Sequence, residues 1–188
     1  MNRAVFLDRD GTMIKEAGDL ILRDVGRIRF FKGVAEAIKK LNRLGFIVVV
    51  ITNQPVVARG FATEKEVDQI HAILVKRLAK RGAKIDAVYS CPHHSEATLP
   101  KYRVRCRCRK PNIGMIMKAA KKFGINLKKS FLVGDRTADI AAGNRAGVKM
   151  ILVKTGYAGK DGRYEGKPDF TAKNLKEATK IIESLTKP

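Results

Sequence analysis

Short apolar runs alternate with longer amphipathic segments along most of the chain. The runs are rich in Val, Ile and Phe, which is typical of strands, whereas the longer segments repeat apolar residues at helical spacing. This pattern predicts five strands, over residues 4–8, 46–52, 85–90, 131–135 and 148–153. It also predicts helices that begin near residues 34, 63, 111, 137 and 174.

Local signals support several of these helix boundaries. Thr63 and Glu66 have the spacing of a capping box, in which each side chain accepts a hydrogen bond from the other residue's backbone. Gly45 follows the first helical repeat, and glycine is favoured just past a helix end. Pro111 is predicted to open the third helix, because the first helical residue needs no backbone N–H.

Strands that alternate with helices favour a parallel sheet with helices on both faces. The run from Phe46 to Ile51 consists of six successive apolar residues, as expected of a strand that is covered on both sides. A length of 188 residues fits one domain. The predicted fold is therefore a three-layer α/β/α, Rossmann-like domain that spans residues 1–188.

The composition is that of a folded protein without a membrane span. Hydrophobic residues make up 45% of the chain and charged residues 30%, which excludes a largely disordered chain. The longest apolar run is far shorter than the roughly 20 residues that cross a bilayer. The first apolar run, Ala4 to Leu7, is too short for the core of a secretory signal, so we expect a cytoplasmic protein.

The chain is strongly basic, with 39 Lys and Arg residues against 18 Asp and Glu and a net charge of +21. Nucleic acid, an anionic membrane or a phosphorylated metabolite would all be attracted to such a charge. The alternative is a solvated, lysine-rich surface on a very soluble or heat-adapted protein. The net charge by itself favours none of these interpretations.

Polar side chains follow three of the predicted strands. Asp8 and Asp10 come after the first strand, Thr52 and Asn53 end the second, and Asp135 ends the fourth. Ligands of parallel α/β sheets bind beyond the carboxyl ends of the strands, so these side chains are expected to converge. Close carboxylates repel one another unless a cation lies between them, which predicts that the acids at 8, 10 and 135 share one Mg²⁺. A solvated acidic turn is the alternative.

Four motifs occur in order along the chain: FLDRDGT, ITNQ, CRKP and GDRTAD. Together they resemble the signatures of the haloacid dehalogenase superfamily of phosphohydrolases. The CPHH and CRC elements further resemble the D-glycero-D-manno-heptose 1,7-bisphosphate phosphatases and their histidinol-phosphate relatives. The resemblance covers residues 4 to about 153 and implies a phosphatase that has no large cap.

The resemblance implies a role for each matching residue. Asp8 would be the nucleophile that forms an aspartyl-phosphate, and Asp10 the general acid and base. Thr52 would bind a phosphoryl oxygen, and Lys110 would neutralise its charge. The implied Mg²⁺ ligands are Asp8, Asp135 and the backbone carbonyl of Asp10.

Asp139 and Asn53 have less specific roles. Asp139 matches the second acid of the last motif, where it would orient Lys110 or a metal-bound water. Its alternative is an acid that is favoured in the first turn of a helix. Asn53 would offer its backbone N–H to phosphate, or be a turn residue. His71 lies within a predicted helix and is expected to be a packing or surface residue.

Residues 101–110 hold six basic groups and no acid. The resemblance implies that Arg109 binds substrate, and that Arg136 does likewise. Guanidinium groups hold phosphate in a fork, as recognition of the non-reacting phosphate of a bisphosphate requires. The alternative is a nucleic-acid-binding patch, in which only Tyr102 would serve as an aromatic platform.

The spacing of the cysteines predicts a second metal site. Cys91 and His93 are separated by one residue, as are Cys106 and Cys108, and twelve residues lie between the two pairs. Four such ligands form the closed set of a structural Zn²⁺, which would pin the irregular loop beside the active site. Unligated thiols are one alternative. His94 is the alternative histidine ligand, although the family pattern matches His93.

Two departures from the family pattern affect substrate selection. Pro55 and Val56 replace a Ser-Gly pair, and the proline removes a backbone donor. Asp19 stands in a loop where the family commonly has Gly-Tyr.

The sequence therefore predicts a monomeric, Mg²⁺-dependent phosphomonoesterase with a zinc-bound loop and a small phosphorylated sugar as substrate. Histidinol phosphate and a polynucleotide end are the alternative substrates. A basic nucleic-acid-binding module on the same fold is the non-enzymatic alternative.

Overall fold

A computed structural model describes residues 1–15 and 25–186. Six parallel strands form one sheet in the order β3-β2-β1-β4-β5-β6. The strands are β1 (Ala4–Leu7), β2 (Ile47–Asn53), β3 (Ala87–Cys91), β4 (Phe131–Gly134), β5 (Lys149–Val153) and β6 (Phe170–Ala172). The helices are α1 (Val34–Arg43), α2 (Pro55–Ala58), α3 (Glu64–Ala79), α4 (Gly114–Phe123), α5 (Thr137–Ala146) and α6 (Leu175–Ser184).

The apolar strands separate two hydrophobic cores. Alternate residues of β1 point to opposite faces, so Val5 and Leu7 join one core while Ala4 and Phe6 join the other. The first core contains apolar residues of α1, α3 and α6, and the second contains those of α4 and α5. The predicted α/β/α layering of a parallel sheet is therefore confirmed.

The strand order determines where a ligand can bind. β1 lies between β2 and β4, so the chain changes direction across the sheet at the β1/β4 boundary. In such sheets a crevice opens beyond the carboxyl ends of the strands at this boundary. Asp8 follows β1 and Asp135 follows β4, which places both carboxylates at the crevice.

The helix signals are mostly confirmed. Thr63 Oγ1 accepts a hydrogen bond from the Glu66 N–H at 3.2 Å, and Glu66 accepts one from the Thr63 N–H at 2.7 Å. Gly45 follows α1 with a positive φ of 78°. Within the described ranges, no helix combines the length and apolar character of a bilayer crossing.

The prediction that Pro111 opens a helix is wrong. The chain turns once more before α4, with the Asn112 N–H bonded to the Arg109 carbonyl and the Gly114 N–H to that of Arg107. Helix α4 begins at Gly114, where a Cβ would overlap the Arg107 carbonyl. This tertiary approach is invisible to a local rule for proline.

Two short elements were absent from the prediction. The three-residue strand β6 pairs with β5, and the four-residue helix α2 begins at Pro55. Both are too short to show a period in the sequence.

Candidate active site

A cleft of about 180 Å³ opens at the carboxyl ends of β1 and β2. Most of the predicted site residues line it: Asp8, Asp10, Thr52, Asn53, Arg109, Lys110, Arg136 and Asp139. Most of the lining side chains are acidic, basic or amide groups, so the cleft suits a charged ligand.

Three buried carboxylates meet beneath this cleft. Asp8, Asp135 and Asp139 each offer an oxygen within 4.8 Å of the others, and all three are at most 5% exposed. Among the described residues, this group does not include the Asp10 carboxylate. The expectation that the acids at 8, 10 and 135 share one ion stays a prediction, as does the backbone carbonyl of Asp10 as a ligand.

Lys110 neutralises part of this negative charge. Its Nζ lies 2.7 Å from Asp8 Oδ1 and 2.6 Å from Asp139 Oδ1, and it also donates to the Ile51 carbonyl at 3.0 Å. Burial opposes the charge of the Lys110 ammonium, but the Asp139 and Asp8 carboxylates outweigh it and raise the pKa of the lysine. The contact agrees with the prediction that Asp139 orients Lys110.

Burial also disfavours the charged form of two of the carboxylates, Asp8 and Asp135. It raises the pKa of Asp8 well above its usual value, and the neighbouring Asp139 raises it further. Burial also raises the pKa of Asp135 to about 6, against a lowering contribution from the Tyr157 N–H that donates to Oδ2 at 2.8 Å. A bound cation would offset this effect, because it favours the ionised form of the carboxylates.

The backbone is shaped around Asp135. A Cβ on either Gly11 or Gly156 would overlap the Asp135 carboxylate, and both glycines have positive φ. These two glycines let the chain approach the carboxylate from both sides. The buried acids and this cradle therefore fit the hard, oxygen-ligated Mg²⁺ that the sequence predicts.

The Asn53 side chain makes a contact that the sequence did not predict. Its side chain donates to the Lys110 carbonyl at 3.1 Å and accepts from the Lys110 N–H at 3.0 Å. This two-bond clamp ties the end of β2 to the loop that holds Lys110. The amide side chain therefore positions the lysine.

The Asp10 carboxylate is held by a network of its own. Arg9 donates from Nε to Oδ2 and from Nη2 to Oδ1, both at 3.1 Å. Gln54 donates from Nε2 to Asp10 Oδ2 at 2.9 Å and to Thr52 Oγ1 at 2.8 Å, and its Oε1 accepts from Arg9 Nη2. One glutamine therefore links the predicted acid to the predicted phosphate ligand on β2.

Arg109 and Arg136 both line the cleft. Arg109 donates from Nη1 to the His93 carbonyl at 3.0 Å, which anchors it beside the cysteine loop. The Arg136 guanidinium packs over the Tyr157 ring at 3.9 Å from the centroid. Both positions agree with contact to a bound anion.

The three cysteines and one histidine converge as predicted. The Cys108 sulfur lies 2.8 Å from that of Cys91 and 3.2 Å from that of Cys106, and 3.4 Å from His93 Nδ1. Zn–S bonds of about 2.3 Å in a tetrahedron place the sulfurs about 3.8 Å apart, so a small expansion would admit the ion. Burial raises the pKa of the Cys91 thiol, so a bound cation would be needed to favour the thiolate.

The two alternative histidines are separated by their contacts. His94 Nδ1 accepts a hydrogen bond from the Glu96 N–H at 3.1 Å, whereas His93 Nδ1 faces the sulfurs. The group that can hold a metal contains His93, as the family pattern implies.

Several site residues carried no separate signal in the sequence. Arg9 and Gln54 stand inside the recognised motifs, but only their side-chain directions show that they hold Asp10. Arg163, Tyr164 and Asp161 line the cleft from a loop with no period or motif. Asp161 accepts hydrogen bonds from the backbone and hydroxyl of Thr137, which ties this loop to α5.

Of the two departures from the family pattern, the structure describes only the one at Pro55 and Val56. Pro55 and Val56 line the cleft at the start of α2, so the change does lie beside the ligand. Asp19 lies outside the described residues.

Comparison with known proteins identifies close relatives. A family model described as HAD-hydrolase-like matches residues 107–178. The D-glycero-beta-D-manno-heptose-1,7-bisphosphate 7-phosphatase of Haemophilus influenzae is 37% identical over 188 residues, covering 100% of both chains. The protein of the same name from Escherichia coli is 34% identical and covers 98% of this chain and 96% of its own.

A solved structure gives the same result for the fold. The D,D-heptose 1,7-bisphosphate phosphatase from B. bronchiseptica, complexed with magnesium and phosphate, aligns with a TM-score of 0.84 and 28% identity. The alignment covers 98% of this chain and 99% of that one.

Proposed function

Since this chain belongs to the heptose-1,7-bisphosphate 7-phosphatase family of HAD-like hydrolases, we propose that it removes one phosphate from a heptose 1,7-bisphosphate by way of an aspartyl-phosphate. The observation that supports this most directly is the buried contact between Asp8 and Lys110, at the base of a cleft that Asp10 also lines. It provides a nucleophile, a cation and an acid in one place.

In the first step, Asp8 attacks the phosphorus while the bond to the sugar oxygen breaks. Asp10 donates a proton to that oxygen, so the sugar leaves as a neutral alcohol. The Lys110 ammonium lies 2.7 Å from Asp8, so it would also stabilise the negative charge of phosphoryl oxygens that approach Asp8. Thr52 lines the same cleft, and its hydroxyl would donate a hydrogen bond to one of the phosphoryl oxygens.

In the second step, water attacks the phosphorus of the aspartyl-phosphate. Asp10, now ionised, removes a proton from that water, and the P–O bond to Asp8 breaks. Inorganic phosphate is released and both acids return to their starting states. One carboxyl group can serve both steps because the leaving oxygen and the attacking water occupy nearly the same place.

The ligands proposed for the metal are those that the family resemblance implies. Asp8, Asp135 and the backbone carbonyl of Asp10 would hold Mg²⁺, with Asp139 engaged by Lys110. When bound, the ion supplies positive charge that stabilises the phosphoryl group during transfer.

The cleft entrance would bind the non-reacting phosphate. Arg59, Arg109, Arg136 and Arg163 all line the cleft. The His94 imidazole reports this cationic environment, because burial and then the charges of Arg109 and Arg59 lower its pKa. Several guanidinium groups around one small cleft suit a bisphosphate better than a monophosphate.

We expect the heptose 1,7-bisphosphates to be hydrolysed with higher kcat/KM than any monophosphate in a panel that includes histidinol phosphate. The reason is that a monophosphate leaves the entrance arginines without an anion. Phosphate release in the presence of Mg²⁺ measures the rates, and the α and β anomers are assayed separately. A bisphosphate that releases no phosphate would overturn the proposed substrate.

A 5′-phosphorylated oligonucleotide tests the nucleic-acid alternative in the same assay. Binding to nucleic acid weakens steeply with salt, because each phosphate contact releases a counterion. We expect the small ester to be hydrolysed with a milder dependence on salt than any oligonucleotide binding shows. Tight, salt-sensitive oligonucleotide binding without turnover of any ester would favour the binding-module interpretation.

We also propose that the four-residue group of Cys91, His93, Cys106 and Cys108 binds one structural Zn²⁺. Metal analysis should find about one zinc per chain, and a chelator should expose all three thiols to a thiol reagent. These are the only cysteines in the chain, so the thiol signal reports this site alone.

Two histidine variants make the zinc test specific. His93→Ala removes a ligand itself, so its zinc affinity should fall by more than the ~10–100-fold that follows loss of a ligand's hydrogen-bond partner. A chelator should therefore remove zinc from this variant more readily than from the wild type. His94→Ala is the matched control and should retain the metal, because its Nδ1 is bonded to the Glu96 N–H. Reduced protein that contains no zinc would contradict the assignment.

A further inference from the structure

His71 on α3 contacts the active site although it does not line the cleft. Only 6% of its surface is exposed, and its Nε2 lies 3.0 Å from Arg9 Nη1. Arg9 is the residue that holds the predicted general acid. A side chain expected to serve in packing is therefore one step away from the reacting groups.

The chemistry of this contact determines which way the hydrogen bond runs. A guanidinium has only donors, so His71 Nε2 must accept, and the imidazole is neutral with its proton on Nδ1. That nitrogen faces the Asp68 carboxylate, 3.9 Å away. Burial and the positive charge of Arg9 lower the pKa of His71 to about 3, against a smaller opposing contribution from Asp10, so the neutral form is the one present near pH 7.

Two other nitrogens of Arg9, Nε and Nη2, donate to acceptors in the active site. Both donate to the Asp10 carboxylate, and Nη2 also donates to Gln54 Oε1 at 2.8 Å. An arginine side chain has several rotatable bonds, and acceptors on two edges of its planar head fix the plane. Without His71, the Nη1 edge would lose its acceptor in this buried contact, and only Asp10 and Gln54 would hold the plane.

We propose that His71 is a positioning residue, which accepts a hydrogen bond from Arg9 and thereby directs the Asp10 carboxyl group toward the leaving oxygen. The proposal rests on the proposed function, in which Asp10 donates a proton to that oxygen. His71 touches neither the substrate nor the reacting atoms. Its effect on the first step should therefore depend on whether the leaving group needs a proton.

Two substrates separate this role from a general structural one. Heptose 1,7-bisphosphate has a sugar alkoxide as leaving group and needs a proton, whereas p-nitrophenyl phosphate releases a stable phenolate. General acid catalysis contributes about 10²–10⁴-fold, so a misdirected acid in His71→Leu should lower kcat/KM for the sugar substrate by about 10–100-fold. The kcat/KM for p-nitrophenyl phosphate should change by less than about threefold, because it includes only the steps up to loss of the phenolate and so excludes the second step, in which Asp10 acts as a base.

His71→Gln is the matched control, because its side-chain oxygen reaches a position close to that of Nε2 and can accept from Arg9. It should retain near-wild-type rates with both substrates. Arg9→Lys keeps the charge but cannot bridge both partners, so it should show the same substrate-selective loss. In the Arg9→Lys background, His71→Leu should have no further effect, because His71 acts only through Arg9.

The outcomes are distinguishable. A wild-type protein that hydrolyses neither substrate would overturn the proposed function. A wild-type protein that hydrolyses both, with His71→Leu reducing both equally or neither, would overturn the positioning role alone. Thermal unfolding shows whether His71→Leu is folded; if it is not, the substrate selectivity of Arg9→Lys decides the question.

Discussion

Asp8→Asn should release phosphate from no substrate at a measurable steady-state rate, a loss of at least about 10⁴-fold. An amide oxygen is a poor nucleophile, and without the aspartyl-phosphate the slow direct hydrolysis is all that is left. The fold should survive, because Lys110 still has the Asp139 carboxylate 2.6 Å away. Steady-state phosphate release and a thermal unfolding curve measure the two effects.

The control for this variant is Glu36→Gln, the same change from acid to amide at an exposed position of α1. It should leave both turnover and the unfolding temperature within error of the wild type. Retained turnover in Asp8→Asn would rule out Asp8 as the nucleophile, whatever happens to stability.

Lys110→Met should damage both stability and activity. The side chain is 3% exposed and its ammonium pairs with Asp8 and Asp139, so its loss leaves two buried carboxylates uncompensated. Removal of one partner from a buried ion pair lowers the free energy of unfolding by about 3–5 kcal/mol. Turnover should fall by at least about 10³-fold, because a charge aimed at the phosphoryl group is lost.

Lys84→Met provides the matched comparison. Its Nζ lies 2.6 Å from Asp86 Oδ1, but the lysine side chain is 76% exposed, so its removal should change stability far less than the removal of Lys110. In the double variant Lys110→Met with Asp139→Asn, part of the lost stability should return while activity stays absent. A Lys110→Met protein with wild-type stability would show that the buried pairing does not stabilise the fold.

The order of strands and helices was predictable because it depends on local patterns. Apolar runs and helical repeats located the first five strands and most helices to within about two residues. The short elements were missed for the same reason: β6 has three residues and α2 has four, which is less than two periods of a strand or a helix.

The contents of the site were also largely predictable, because the residue types that perform phosphoryl transfer stand at strand ends. Their contacts were not. Asn53 was expected to offer its backbone to phosphate, yet its side chain clamps Lys110 from 57 positions away. No spacing rule connects these two residues, since the contact exists only after β2 and the cysteine loop come together.

By itself, the sequence determined the parallel α/β architecture, the polar residues that end the strands and the Cys/His set, since periodicity and residue chemistry are properties of neighbouring positions. The tertiary structure alone decided which acids share one buried volume. Asp139 joins Asp8 and Asp135, while the Asp10 side chain is turned toward Arg9 and Gln54. Side-chain direction at a turn depends on partners that are distant in the chain, and packing supplies those partners only in the folded molecule.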